Sequence, residues 1–278
     1  MMTCVDVSTH QGEIDYNLLP CQVVIMRVGF GKLETQKDRY FERNYSEAKK
    51  YGKKIGVYLY SYAKTPQEAI EEAKTCLYWL NGRELNLPIF FDIEDKSVEK
   101  LHKDELTKIV LAFANYINSK SSYKVGVYAN KYWLTTKLNT NEFDHLFIWC
   151  AQYNESLTYN GLCDIWQFTS KGNLSGIKGY CDLNYIINEK VIEDGFDYCE
   201  DGWGERGGLW YYIENKKYCV GWKLIDRRWY YFNNRGFAVT GLQELDGRYY
   251  YFSEYQKETI KECQLIMTDG NGGLISHL

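Results

Sequence analysis

No run of apolar residues in this sequence approaches the ~20 that a membrane-spanning helix needs, so insertion into a bilayer is not expected. No block of lysine or arginine stands out either. The net charge is −4 and is spread along the chain, which argues against nucleic acid or an anionic membrane as the main partner. There is no Cys-x-x-Cys pair and the four histidines lie far apart, so a metal site is not expected. No strand-like run leads into a Gly-x-Gly-x-x-Gly or P-loop motif, which weakens a nucleotide-binding reading and leaves no cofactor implied. The opening Met-Met-Thr-Cys-Val-Asp lacks the basic, apolar and small-residue segments of a signal peptide. The nine cysteines are odd in number and scattered, several of them inside apolar runs (Cys4, Cys150, Cys163). Synthesis in a reducing cytoplasm is the expectation.

What is present is a rhythm. Strand-like runs over 3–8, 22–30, 55–63, 87–95 and 123–130 alternate with helical patterns over 38–51, 66–80, 103–120 and 131–138. Only a loop separates the first two strands. Thr65-Pro66-Gln67-Glu68 combines a capping box with proline at the first helical position. In the third helix Leu106, Ile109, Val110, Phe113 and Ile117 form one apolar stripe. Three further strands (147–152, 164–169, 179–185) then follow with short connections. Alternation of this kind predicts an α/β fold with a mainly parallel sheet; eight strands can close a barrel, and a doubly wound sheet is the competitor.

In a barrel, active groups belong at the C-terminal ends of strands. Asp6, Asp92, Glu94 and Asp182 all fall near such ends, on three different strands. The densest place is Pro88-Ile89-Phe90-Phe91-Asp92-Ile93-Glu94-Asp95. Strand alternation puts Asp92 and Glu94 on one face, where each carboxylate raises the pKa of the other.

An ordered set of short motifs carries a resemblance. It comprises Asp6-Val7-Ser8-Thr9-His10-Gln11-Gly12, Arg27-Val28-Gly29-Phe30-Gly31, Gly56-Val57-Tyr58, Phe91-Asp92-Ile93-Glu94, Gly126-Val127-Tyr128, Trp149-Cys150-Ala151-Gln152-Tyr153, Trp166-Gln167-Phe168 and Asp182-Leu183-Asn184. Together they resemble the family 25 glycoside hydrolases, the Chalaropsis-type lysozymes frequent among phage endolysins. The resemblance implies an irregular TIM-like barrel over residues 1–190, five β/α units followed by three strands. It also implies an N-acetylmuramidase that cleaves the β-1,4 bond between N-acetylmuramic acid and N-acetylglucosamine of bacterial peptidoglycan. Glu94 matches the family's general acid, and Asp6, Asp92 and Asp182 match its other acidic positions, with the second catalytic role shared between Asp92 and Asp182. Tyr62, Tyr128, Tyr153 and Trp166 are candidates for sugar stacking or for barrel packing. Arg27 is a candidate for substrate contact or for a structural ion pair, and the loop leaves open which of Tyr58, Tyr60 and Tyr62 faces substrate. His10 reads as a polar loop residue. An inactive wall-binding protein and a chitinase-like glycosidase are the alternatives.

Residues 191–201 are acidic without a clear element and are expected to be a linker. Beyond them, over 202–278, a period of about 20 residues sets in. Gly202-Trp203 recurs as Gly221-Trp222 and Gly241-Leu242, and Trp210-Tyr211-Tyr212-Ile213 recurs as Trp229-Tyr230-Tyr231-Phe232 and Tyr249-Tyr250-Tyr251-Phe252. One hairpin cannot bury its aromatic face, so an all-β array of stacked hairpins is predicted, with turns such as Asn233-Asn234-Arg235-Gly236 and with 253–278 as a capping piece. The pattern resembles the choline-binding, or cell-wall-binding, repeat. That resemblance implies cages around choline or another wall polymer component built from Trp203, Trp210, Trp222, Trp229 and Tyr250, or else a dimerisation surface.

Overall fold

The computed structural model describes residues 2–143, 146–192, 201–206, 209–214, 217–233, 236–245, 247–254, 262–268 and 274–276. Most of the expected linker (193–200), Asn234 and Arg235 of the expected turn, and much of 253–278 lie outside the described residues. The chain divides into two compact units, Met1–Phe196 and Asp197–Leu278.

In the first unit, eight strands form a closed barrel in sequence order. They are β1 (Met2–Val7), β2 (Val23–Phe30), β3 (Lys54–Tyr60), β4 (Ile89–Asp92), β5 (Val125–Asn130), β6 (Phe147–Ala151), β7 (Ile165–Gly172) and β8 (Cys181–Ile186). Neighbours from β1 to β7 are parallel. The last strand, β8, runs antiparallel to both β7 and β1 and closes the ring. Both faces of most strands are buried, which is why they read as continuous apolar runs. On β2, Val24, Met26 and Val28 pack toward the helices, while Val23 and Ile25 point into the barrel with Cys4, Phe90, Phe147, Trp149 and Ile165. This inner plug is tight. A Cβ at Gly126 would stand 2.5 Å from the Phe90 ring and 2.8 Å from the Phe147 carbonyl, so only glycine lets β5 pass that ring.

Three α-helices cover the ring: α1 (Phe41–Lys50), α2 (Pro66–Leu80) and α3 (Lys103–Lys120). The start of α2 is the one the sequence predicts. Thr65 caps the Glu68 N–H, Pro66 opens the helix, and Glu68 reaches back to the Lys64 N–H at 2.8 Å. The predicted stripe of α3 is buried throughout.

The structure departs from expectation in three places. Strand β4 ends at Asp92, so Glu94 sits on the segment that follows rather than within the strand. Strand β3 ends at Tyr60, which puts Tyr62 in the connection to α2. Of the five β/α units that the resemblance implies, only those after β2, β3 and β4 carry an α-helix among the described residues. The short helix expected over 131–138 is present, with π-type geometry over Trp133–Lys137. Thr135 and Thr136 hydroxyls there bond back to the Lys131 and Tyr132 carbonyls (2.8 and 2.6 Å), a side-chain competition that slightly destabilises regular helix.

The second unit contains three antiparallel hairpins in matching register. Strand β9 (Gly202–Arg206) pairs with β10 (Leu209–Glu214), whose other edge takes β11 (Lys217–Tyr218). Next come β12 (Gly221–Ile225) with β13 (Arg228–Phe232) and β14 (Gly241–Leu245) with β15 (Arg248–Phe252). Trp203 faces Tyr212, Trp222 faces Tyr231, and Leu242 faces Tyr251. Strands β16 (Leu265–Thr268) and β17 (Leu274–Ser276) extend the third hairpin into a four-stranded sheet.

Candidate active site

The C-terminal ends of β1 and β4 and the N-terminal end of the antiparallel β8 converge on a cavity of about 190 Å³. Asp182, expected near the C-terminal end of its strand, enters instead from the start of β8. Asp6, Asp92 and Asp182 line it with Arg27, Tyr58, Tyr60, Tyr128, Trp149, Tyr153, Gln167 and His10. Three carboxylates in one recess follow from the register. Asp6 lies directly opposite Asp182 in the antiparallel β1–β8 pair, and Asp92 closes β4 beside Tyr60 and Tyr128. Like charges directly opposite each other destabilise a sheet.

Asp6 is held most firmly. Its Oδ2 accepts from Gln167 Nε2 and Asn184 Nδ2, both at 2.9 Å. Those amides are themselves oriented: the hydroxyls of Tyr128 (2.9 Å) and Tyr153 (3.0 Å) donate to Gln167 Oε1, and the Trp149 indole N–H donates to Asn184 Oδ1 at 2.8 Å. Burial and then Asp182 push Asp6 up to about 8, against the pull of these donors. Burial raises Asp182 too, with His10 opposing. Asp92 is raised well above the usual carboxylate range by burial, Glu94 and Asp6, with Arg27 opposing. Among the described residues, Asp92 Oδ1 is buried and has no hydrogen-bond partner.

Glu94 stands apart from these three. It is not among the residues lining the cavity, and its Oε2 accepts from the main-chain N–H (3.1 Å) and Nδ2 (2.8 Å) of Asn130. Oε1 has no donor among the described residues. Burial raises its pKa, opposed by the two Asn130 bonds. The cause differs from the one the sequence suggests, which was repulsion by neighbouring carboxylates. That repulsion falls on Asp92 instead.

The other predicted residues divide. Tyr128 and Tyr153 line the cavity. Trp166 does not. It lies on the opposite face of β7 from Gln167, buried, its indole N–H on the Gln152 carbonyl (2.8 Å) and its ring against Phe168 and Tyr185. Its neighbour in the sequence-based reading, Tyr62, is exposed outside the cavity with its ring edge-on to Tyr60 at 5.3 Å. Of the three loop tyrosines, Tyr58 and Tyr60 reach the recess. Arg27 forms the structural ion pair, with Nε and an Nη both 2.8 Å from Asp38 Oδ2, and it also lines the cavity. Sequence reasoning passed over Trp149, Gln167, Asn184 and His10. For His10 a signal was available, since it lies on the turn that directly follows β1, four residues beyond Asp6.

In the second unit the tryptophans sit in equivalent aromatic clusters. Trp203 meets Tyr230 (4.7 Å between ring centroids), Tyr212 (5.3 Å), Phe232 (5.8 Å) and Trp210 (6.4 Å). Trp222 meets Tyr250 (4.8 Å), Tyr231 (5.3 Å), Phe252 (5.7 Å) and Trp229 (6.3 Å). The third hairpin offers Leu242, largely exposed, at the corresponding place. A carboxylate stands beside the first cluster, where Trp210 Nε1 donates to Glu262 Oε2 at 3.2 Å.

Residues 5–177 match the model of the glycosyl hydrolases family 25. The match ends before Asp182, whose place in the site rests on the register opposite Asp6. Among solved structures, the chain is 30% identical to the CTP1L endolysin (TM-score 0.60), covering 69% of either chain. It is 27% identical to the modular autolysin LytC from Streptococcus pneumoniae (TM-score 0.58), with 66% of this chain aligned to 46% of that one, so it spans less than half the autolysin's length. A family 25 glycosyl hydrolase from Bacillus anthracis, at 22% identity and TM-score 0.59, shares the fold over 68% of this chain and 89% of its own. No curated protein matches the chain.

Proposed function

Since the chain belongs to glycosyl hydrolase family 25, we propose that it is an N-acetylmuramidase acting on bacterial peptidoglycan. The observation that carries this reading is the convergence of Asp6, Asp92 and Asp182 on one recess, with Glu94 at its side. Glu94, whose pKa burial raises, gives its proton to the glycosidic oxygen as the C1–O bond breaks. Positive charge then spreads over C1 and the ring oxygen, where the ionised members of the aspartate group stabilise it. Asp92 Oδ1, without a partner, is suited to accept from the acetamido N–H of the sugar or from the incoming water. Water adds at C1 and a proton returns to Glu94. Tyr128 and Tyr153 shape the sugar site, while Arg27 chiefly keeps Asp38 and the Asp92 side of the recess in place.

The second unit serves as the wall-binding part. Trp203 and Trp222, with Trp210, Trp229 and Tyr250, suit a quaternary ammonium such as choline through cation–π attraction, and Glu262 adds a charge beside the first cluster. Residues 1–190 then form the catalytic part, 191–201 the linker and 202–278 the targeting part. The whole chain fits an endolysin made in the bacterial cytoplasm and acting at the wall.

A digest of purified peptidoglycan tests this. Mass analysis should find new reducing ends at N-acetylmuramic acid. Ends at N-acetylglucosamine would instead indicate a chitinase-like specificity, and an intact wall an inactive binding protein. A finer check concerns Asn130, whose donors favour the ionised form of Glu94. Asn130→Ala removes the side-chain donor, so the alkaline limb of the kcat/KM profile should move to higher pH, by up to about one unit. An unmoved limb would count against Glu94 as the titrating acid.

A further inference from the structure

A second cavity opens at the same end of the barrel, and at about 440 Å³ it is larger than the acid-lined one. Its walls are the first turn of α3, the turn after β5 and the connection from β6 to β7, contributing Lys103, Lys131, Thr135, Thr158 and Asn160 above an apolar floor that includes Leu134. Lys131 Nζ donates to Thr158 Oγ1 at 2.7 Å. Among the described residues neither lysine pairs with a carboxylate. The nearby Asp104 is engaged by Asn139 Nδ2 at 2.7 Å. In a chain of net charge −4, two half-buried lysines sharing one polar recess, neither of them ion-paired among the described residues, stand out.

The recess adjoins the chemistry on both sides. Lys131 follows Asn130, which holds Glu94. Thr158 is clamped by Gln152, its N–H on Gln152 Oε1 (3.1 Å) and its Oγ1 receiving Gln152 Nε2 (2.9 Å), and Gln152 precedes Tyr153 of the acid-lined cavity. The recess is thus joined to the catalytic wall through neighbouring residues, Asn130 beside Lys131 on one side and Gln152 beside Tyr153 on the other.

We propose that the recess receives a carboxylate-bearing branch of the polysaccharide, namely the acidic peptide carried on the lactyl group of the muramoyl sugar, with Lys103 and Lys131 as its counter-charges. This rests on the muramidase reading and adds a specificity site to it. The aspartate cavity repels an anion, so an acidic branch needs a compensating place nearby. Flexible lysines suit a mobile peptide carboxylate that need not be held in one orientation.

The test uses the full chain and soluble glycan strands prepared with and without their peptide branches. For Lys103→Gln combined with Lys131→Gln, kcat/KM on peptide-bearing strands should fall roughly tenfold through KM, as for loss of charge-assisted contacts, while kcat holds. On peptide-free strands the same variant should stay within about twofold of wild type. Lys103→Glu, which disturbs no hydrogen bond of the lysine among the described residues, should give a larger selective loss, and Lys103→Arg should retain wild-type selectivity. Equal losses on both strands, or none on either, would overturn the proposal. A wild-type chain that cleaves neither strand would overturn the muramidase reading itself, and with it this site.

Discussion

Replacing Glu94 with glutamine should lower kcat on peptidoglycan by about three orders of magnitude, within the range for loss of a general acid. Glutamine keeps the shape and can still accept from the Asn130 N–H and Nδ2 through its carbonyl, but it has no proton to give the leaving oxygen. Removing a buried ionisable group costs the fold nothing in desolvation, so thermal stability near pH 7 should be kept or slightly raised. Wall binding should also be kept, because the aromatic clusters lie in the other unit. Reducing-end release measured beside co-sedimentation with walls separates these effects. Full lysis by Glu94→Gln would sink the assignment of the acid.

Asp92→Asn should trade activity for stability, and the trade should depend on pH. The folded-state pKa of Asp92 is raised, so wild type has its full stability below the ordinary aspartate range. It loses stability as pH rises and the buried carboxylate must ionise among Glu94 and Asp6. Asparagine removes that loss. The variant should melt together with wild type near pH 4 and several degrees above it at pH 8, taking roughly 2–4 °C per kcal/mol for a unit of this size. Activity should fall at least about a hundredfold if Asp92 Oδ1 is the acceptor for a substrate group, an interaction realised as charge develops. A melting offset constant across pH would show that Asp92 is not the strained ionisable group, and unchanged activity would remove it from the chemistry.

Much of this site can be read in the sequence because acids at the ends of apolar strands are conspicuous. Asp6 and Asp92 needed only the alternation of strand and helix to be placed at one end of a barrel, whereas Asp182 reaches that end because β8 runs antiparallel and begins there. Glu94 was harder to place: PIFFDIED reads as one extended run, but the regular strand ends at Asp92 and only the Ile93 N–H still bonds to the Tyr128 carbonyl of β5. Trp149 and Trp166 show the limit more plainly. Both lie in short apolar runs buried on both faces, where a period of two does not say which face turns inward. Trp149 is inside, beneath the aspartates, and Trp166 is on the outer wall. Gln167 and Asn184 carry no signal at all as isolated amides; their role exists only once β7, β8 and β1 stand side by side. The helix starts, by contrast, were local chemistry, as Thr65 and Pro66 illustrate.

The antiparallel pairing of β8 with β1 has a consequence for the order of events during synthesis. Met2 pairs with Ile186, so β1 keeps one edge open until nearly the whole barrel has been made. Loop closure over such a separation is slow and entropically costly, and an unpaired strand edge meanwhile invites wrong partners. One rung of that seam sets Asp6 against Asp182, where the sheet is least inclined to zip. A nascent chain lacking β8 therefore lacks the carboxylate pair, and hydrolytic competence arrives with ring closure rather than building up strand by strand.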